Sequence, residues 1–204
     1  MKRRHAAQPA PPAAAVPDET VSGYRWIVFG LWSACSVAGF MVLSVMGLLL
    51  PSISSDLNLS PTQQGVLSSA AFWGNIALTL PIGWWASRFR PKPLTTITLA
   101  VGTGLLFVQG WAPVFAVLLL GRLAFGVSLI AREPARALLI RQWFPARETM
   151  LANGVSSAMF GLIVGGGLVA TPLILDVVDG DWRLVLRVFG VLFVVLTAVW
   201  VILG

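Results

Sequence analysis

The 204-residue chain has one cysteine, one histidine and only 11% charged residues, against 57% apolar ones. Each scarcity removes a class of protein. A lone Cys35 excludes a disulfide framework and a multi-cysteine zinc site. A lone His5, set in a polar amino-terminal stretch, excludes a histidine metal cage and any catalytic triad that needs an internal imidazole. A soluble domain carries roughly a quarter charged residues, so this composition could not cover a water-exposed surface. There is no phosphate-binding G-x-x-x-x-G-K-[ST] loop; GVSSAMFG and GLIVGGG lack its lysine. No H-E-x-x-H, no G-x-S-x-G and no paired buried carboxylates occur either. Enzyme chemistry, a bound cofactor and a metal site are therefore not expected.

What the chain does have is long apolar runs. A helix needs about 20 apolar residues to cross a hydrocarbon layer of about 30 Å. Six such runs occur, over 26–50, 65–86, 94–111, 114–140, 150–175 and 184–203. Residues 1–22 before them are basic and Pro/Ala-rich, which predicts a disordered cytoplasmic tail. The first run is too long for the core of a cleaved signal peptide. The expected fold is an all-α membrane protein, a six-transmembrane-helix bundle over 23–204 with short loops, each helix satisfying its own backbone in lipid.

Cations set the orientation. Lys2, Arg3, Arg4 and Arg25 precede the first span, Arg88, Arg90 and Lys92 follow the second, and Arg141 and Arg147 follow the fourth. The alternate loops carry Asp56, then no charge, then Asp176, Asp179 and Asp181 beside Arg183. Both termini are thus expected in the cytoplasm, and the net charge of +6 reads as a loop address, not as a nucleic-acid surface. Trp84, Trp85 and Trp143 are expected at the inner interface, Trp111 and Trp182 at the outer.

Charge inside a span is costly and usually faces a bundle interior or a cavity. At about 100° per residue, Arg122, Gly126, Leu129, Glu133, Arg136 and Ile140 fall within about 40° of one line. Arg122, by its depth, is the leading candidate for meeting a solute or a coupling carboxylate. Glu133 and Arg136 read either as cavity groups or as an i,i+3 ion pair. Arg132 points elsewhere and is expected to snorkel to the surface. Ser33, Ser36, Phe40, Ser44 and Gly47 share a face of span one, and Gln64, Ser68, Ala71 and Asn75 a face of span two. Ser33, Ser36 and Asn75 are the solute candidates there, with close helix packing as the competing reading. Gly161, Gly165, Gly166 and Gly167 read as a packing surface, and Cys35 as an inert small side chain.

The loops carry a resemblance. Residues 83–92, GWWASRFRPK, are similar to the loop signature G-x-x-x-D-R-x-G-[RK]-[RK] of the major facilitator superfamily. Gly83, Arg88 and Lys92 match, whereas Ser87 stands for the acid, Arg90 for the second glycine and Pro91 for a base. Arg122, Gly126, Pro134, Trp143, Phe144, Pro145, Glu148, Ala152 and Gly154 resemble that family's signature between helices four and five. Its spacing is similar to the organic-anion (anion:cation symporter) branch, although that branch's acid three residues after Gly126 is Leu129 here.

The resemblance implies the amino-terminal six-helix half of a 12-helix carrier that rocks about a midplane site. It places Arg122 and the span-one face toward the cavity. It makes 83–92 a gating loop whose latch is in question without an acid at Ser87. The implied function is secondary transport of a small solute, an organic anion favoured, coupled to a proton or other ion, in the plasma (inner) membrane. The implied partners are the bilayer, the solute, and a carboxyl-terminal half or a second half-chain. Because 204 residues supply one half of such an architecture, a partial chain is the first expectation. The alternative is a non-transporting membrane subunit or assembly factor built on the half-fold.

Overall fold

A computed structural model describes residues 23–86 and 88–203, without the side chains of 74–78, Pro91, Pro134 and Ala137. The expected tail at 1–22, Ser87 and the side chains of Asn75 and Pro134 therefore lie outside the described residues. The helices are α1 (Tyr24–Leu57), α2 (Pro61–Ala86), α3 (Pro91–Gly110), α4 (Phe115–Ile130), α5 (Glu133–Trp143), α6 (Thr149–Val177) and α7 (Trp182–Leu203). A short 3-10 turn, Ala146–Glu148, joins α5 to α6. Among the described residues Tyr24–Leu57, Lys92–Gly110, Ala146–Val177 and Trp182–Leu203 are long and apolar enough to cross a bilayer, and Phe115–Ile130 is a shorter apolar helix.

The first span is longer than its apolar run. At about 1.5 Å per residue, the 34 residues of α1 exceed the hydrocarbon thickness. The polar SISSDL segment, expected as loop, continues the helix past Pro51. The real connection is Asn58–Ser60: Asn58 turns left-handed (φ 50) and Leu59 donates its N–H to Ser54 O at 3.1 Å. Ser60 and Gln63 then form a capping box. The Ser60 N–H donates to Gln63 Oε1 (2.9 Å) and the Gln63 N–H to Ser60 Oγ (3.3 Å). Gln64 closes the corner, its Nε2 donating to Ser54 Oγ at 2.7 Å and to Leu59 O at 3.1 Å. That polar face of α2 is a packing device.

The fourth span, expected as one helix over 114–140, is two. Helical pairing stops at Ile130, and α5 starts afresh at Glu133 with a proline in its first turn. A proline has no N–H to donate and cannot sit in a helix interior without losing a hydrogen bond, so a helix is commonly interrupted ahead of one. Arg132 is left at the break, its N–H bonded to Leu129 O at 3.2 Å.

α1 packs on α6 and α7, α2 on α4, and α3 on α4 and α7. The α2–α4 crossing is close because Gly126 has no side chain: a Cβ there would lie 2.3 Å from Ala71 O. Gly167 likewise seats Met41 of α1, but nothing among the described residues lies within 4 Å of a Cβ at Gly161, Gly165 or Gly166. The expected packing surface on the fifth span is thus used at one glycine, and the other three face outward in this chain.

Two ion pairs staple opposite ends. At the amino-terminal end of α1, Arg25 pairs with Glu148 at 2.7 Å, and its guanidinium lies 5.2 Å from the Phe144 ring centroid. Phe144 packs edge-on against Trp26 and Phe29, so the W-F-P-x-x-E segment is a socket for the start of α1. At the other end Arg183 of α7 bonds Asp56 at 2.6 Å and donates to Ala112 O at 3.2–3.3 Å. Trp182, expected at the lipid interface, is instead buried, with its indole N–H on Asp56 at 3.3 Å. Trp84, Trp85, Trp111 and Trp143 are exposed.

Candidate functional site

A cleft of about 190 Å³ opens between α1, α5 and α6. α1 contributes Trp32, Ser33, Ser36, Val37 and Phe40, α5 contributes Glu133 and Arg136, and α6 contributes Ser156, Ser157 and Phe160. Four of the sequence candidates, Ser33, Ser36, Glu133 and Arg136, are brought together here. In its apolar walls Phe40 and Phe160 lie 5.8 Å apart, and the Trp32 indole N–H donates to Thr95 Oγ1 at 3.2 Å.

The hydroxyls in the cleft are unusual within this chain. Ser44, Ser68, Thr103 and Thr197 each donate to the carbonyl four residues back, which satisfies a helical hydroxyl locally. Ser33 is fully buried and Ser36 nearly so, yet neither hydroxyl has a hydrogen-bond partner among the described residues. Leaving a buried hydroxyl unmet costs about 1–3 kcal/mol, so these two stand apart from the locally bonded hydroxyls. Glu133 and Arg136 lie 3.6 Å apart, and both remain nearly half exposed. A pair so placed is weakly held.

Arg122 does not line this cleft. Its guanidinium is fully buried and turned into the α1–α4 contact, donating to Leu43 O at 2.8 Å and to Val42 O at 3.4 Å. The expected polar line along the fourth span is divided. On α4, Arg122 reaches α1 while Gly126 meets α2, and beyond the break at Ala131–Arg132 it is Glu133 and Arg136 of α5 that face the cleft. Arg132 also departs from expectation. It does not snorkel but is buried, donating to Cys35 O at 2.9 Å. Cys35 itself packs in the core with its Sγ against Leu196 O, 3.8 Å away.

Sequence reasoning missed Trp32, Ser156, Ser157 and Phe160. Aromatics and serines are ordinary in membrane spans, and nothing in their spacing sets these apart. It also missed that Arg25 and Glu148 are partners, 123 residues apart in the chain.

An apolar all-helical bundle with a polar cleft between spans is the form of a membrane carrier half. Residues 28–204 match the family model of the Major Facilitator Superfamily, and the chain belongs to that superfamily. It is similar to the probable galactarate/D-glucarate transporter GarP of Escherichia coli K12, 29% identical over 184 residues that cover 86% of this chain and 40% of that protein. The galacturonate transporter of Dickeya chrysanthemi is 25% identical over 88% of this chain and 52% of its own length. The 4-hydroxybenzoate transporter PcaK of Acinetobacter baylyi is 25% identical over 75% and 34%. Among solved structures, a bacterial homologue of the human lysosomal transporter Spinster, inward-facing and unoccupied, superposes with a TM-score of 0.76. That match covers 90% of this chain and 43% of the other at 19% identity, and shows the fold. The chain thus spans 40–52% of the GarP and galacturonate relatives. It is a multi-pass integral membrane protein with a half-fold of the superfamily.

Proposed function

We propose that this chain forms the amino-terminal half of a secondary transporter for a small organic anion, working by alternating access, and that the α1–α5–α6 cleft is its share of the solute path. The observation that carries this reading is the pair of buried, unpartnered hydroxyls of Ser33 and Ser36 facing the same space as Arg136. A hydroxylated or aromatic carboxylate matches that lining. Arg136 takes the carboxylate, with Glu133 as the anion it displaces, the serines take hydroxyls, and Trp32, Phe40 and Phe160 take the carbon skeleton. GarP, the galacturonate carrier and PcaK are named for solutes of that kind. Arg122 we assign to holding α4 on α1, and Glu133 to the coupling role with a proton or other ion. The excess of cations before α1, after α2 and after α5 supports a cytoplasmic amino terminus and an inner-membrane location. The carboxyl-terminal half of the path belongs to a second six-helix unit.

The test is uptake of labelled galactarate, galacturonate and 4-hydroxybenzoate by cells expressing the gene that encodes this chain, with galactitol as the uncharged control. Saturable uptake of at least one acid is expected, falling at least about tenfold in Arg136→Gln, the equivalent of one charge-assisted hydrogen bond. No uptake of any acid, with the protein present in the membrane, overturns the transport reading and favours a non-transporting membrane subunit.

A further inference from the structure

The turn between α2 and α3 has a chemistry that the cleft does not use. Arg88, Arg90 and Lys92 are all exposed there, and residues 57–132 contain no aspartate or glutamate. The glutamates that follow are already engaged, Glu133 with Arg136 and Glu148 with Arg25. Among the described residues no carboxylate comes within ion-pair distance of the three cations. Net charge of one sign is thus concentrated on one short surface.

Aromatic rings are threaded through those cations at fixed geometry. The Arg88 guanidinium lies over the Trp84 ring, 3.7 Å from its centroid. Trp85 and Phe89 form a second tier, 4.5 Å apart. Both tiers are set by the end of α2, where the Arg88 N–H donates to Trp85 O and the Phe89 N–H to Ala86 O. A guanidinium lying over an indole keeps its N–H edge outward, and that edge fits phosphate oxygens. Trp84 is 67% exposed, Trp85 51% and Phe89 41%. Indoles so exposed at the end of a membrane helix settle at headgroup depth. A free anion in water would gain nothing from this collar of rings, whereas a lipid phosphate arrives with an apolar phase beside it.

We propose that the α2–α3 turn is a binding site for the headgroup of an anionic phospholipid, with Arg88 donating to the phosphate, Arg90 and Lys92 adding charge, and Trp84 and Trp85 setting its depth. The site follows from this chain's own departures from the family loop, an arginine at position 90 and no acid at position 87. It does not depend on what the cleft carries.

The experiment uses the 204-residue chain in mixed micelles of detergent and phosphatidylcholine, titrated with phosphatidylglycerol, with bound lipid counted by native mass spectrometry. Each cation removed should weaken binding about fivefold, the effect of one basic residue at an anionic surface. Arg90→Gln should therefore lose about fivefold and the triple R88Q/R90Q/K92Q far more. Arg141→Gln, an exposed cation in the last turn of α5, should change it less than about twofold. Millimolar inorganic phosphate should not compete. All four residues are exposed, so unfolding midpoints in phosphatidylcholine should stay at the parent value. Should the triple variant fold poorly, Arg90→Glu, which leaves the Arg88–Trp84 contact in place, decides with an expected loss of at least about fivefold. Unchanged phosphatidylglycerol binding in these variants overturns the proposal. An equal loss in Arg141→Gln replaces the site with diffuse surface charge, and competition by phosphate replaces the lipid with a free anion.

Discussion

The two sides of α1 treat polar groups in opposite ways. On the side facing α4, Arg122 brings a full charge into the bundle and spends it on the carbonyls of Val42 and Leu43. On the side facing α6, Ser33 and Ser36 bring only hydroxyls, which meet no partner among the described residues and belong to residues lining a cleft. The deeper and more polar group is the one that has partners. A buried charge in a membrane helix needs polar partners, and here backbone carbonyls of the neighbouring helix take both terminal nitrogens of the guanidinium while its Nε stays unmet. The better mark of a ligand site is hydrogen-bonding capacity left unmet beside a space.

That contrast can be broken in order of expected effect. Arg122→Ala removes both carbonyl contacts and leaves a void, and should lower unfolding stability in detergent by about 3 kcal/mol. Arg122→Met keeps the volume without the buried charge and should stay within about 1 kcal/mol of the parent with solute binding intact. Loss of binding in a fully stable Arg122→Met would return Arg122 to the solute path. Next is the α2–α4 crossing. Gly126→Ala sets a methyl against the Ala71 carbonyl, where backbone has to move, and should cost about 2 kcal/mol. Gly165→Ala, which meets open space, should stay within about 0.5 kcal/mol.

Glu148→Gln leaves Arg25, only 11% exposed, without its counter-ion. A drop of about 1–2 kcal/mol is expected from denaturant unfolding, with solute affinity preserved. The smallest stability effect belongs to the cleft. Ser33→Ala and Ser36→Ala delete unmet hydroxyls, so stability should hold or rise by up to about 1 kcal/mol. Solute affinity should meanwhile fall by about fivefold, the equivalent of one neutral hydrogen bond. A loss of stability with affinity unchanged would mean that these hydroxyls serve packing.

Much of the bundle was legible because a hydrocarbon layer imposes a length and a composition on whatever crosses it. The six apolar runs and the helix-four-to-five signature could be read from residues alone, as could the proximity of Glu133 to Arg136. The polar end of α1 could not, because SISSDL has the composition of a loop, and only the Ser60–Gln63 capping box shows where the chain turns. Nor could the fate of Arg122 and Arg132. A helical wheel shows which residues share a face but not which neighbouring carbonyl lies in reach, and here Arg122 of α4 finds Leu43 O while Arg132, at the break before α5, finds Cys35 O.

By itself, the sequence determined that this chain is an all-α membrane half-fold, since apolar run length, charge asymmetry and loop signatures are local properties. Only the tertiary structure decided which polar groups are spoken for. Arg25 with Glu148, Asp56 with Arg183, and Arg122 with Val42 and Leu43 are unions between distant segments. Among the described residues, the hydroxyls of Ser33 and Ser36 are among the buried groups that those unions leave unmet. Hydrogen-bond satisfaction depends on distances between helices, and no pattern along one helix contains them.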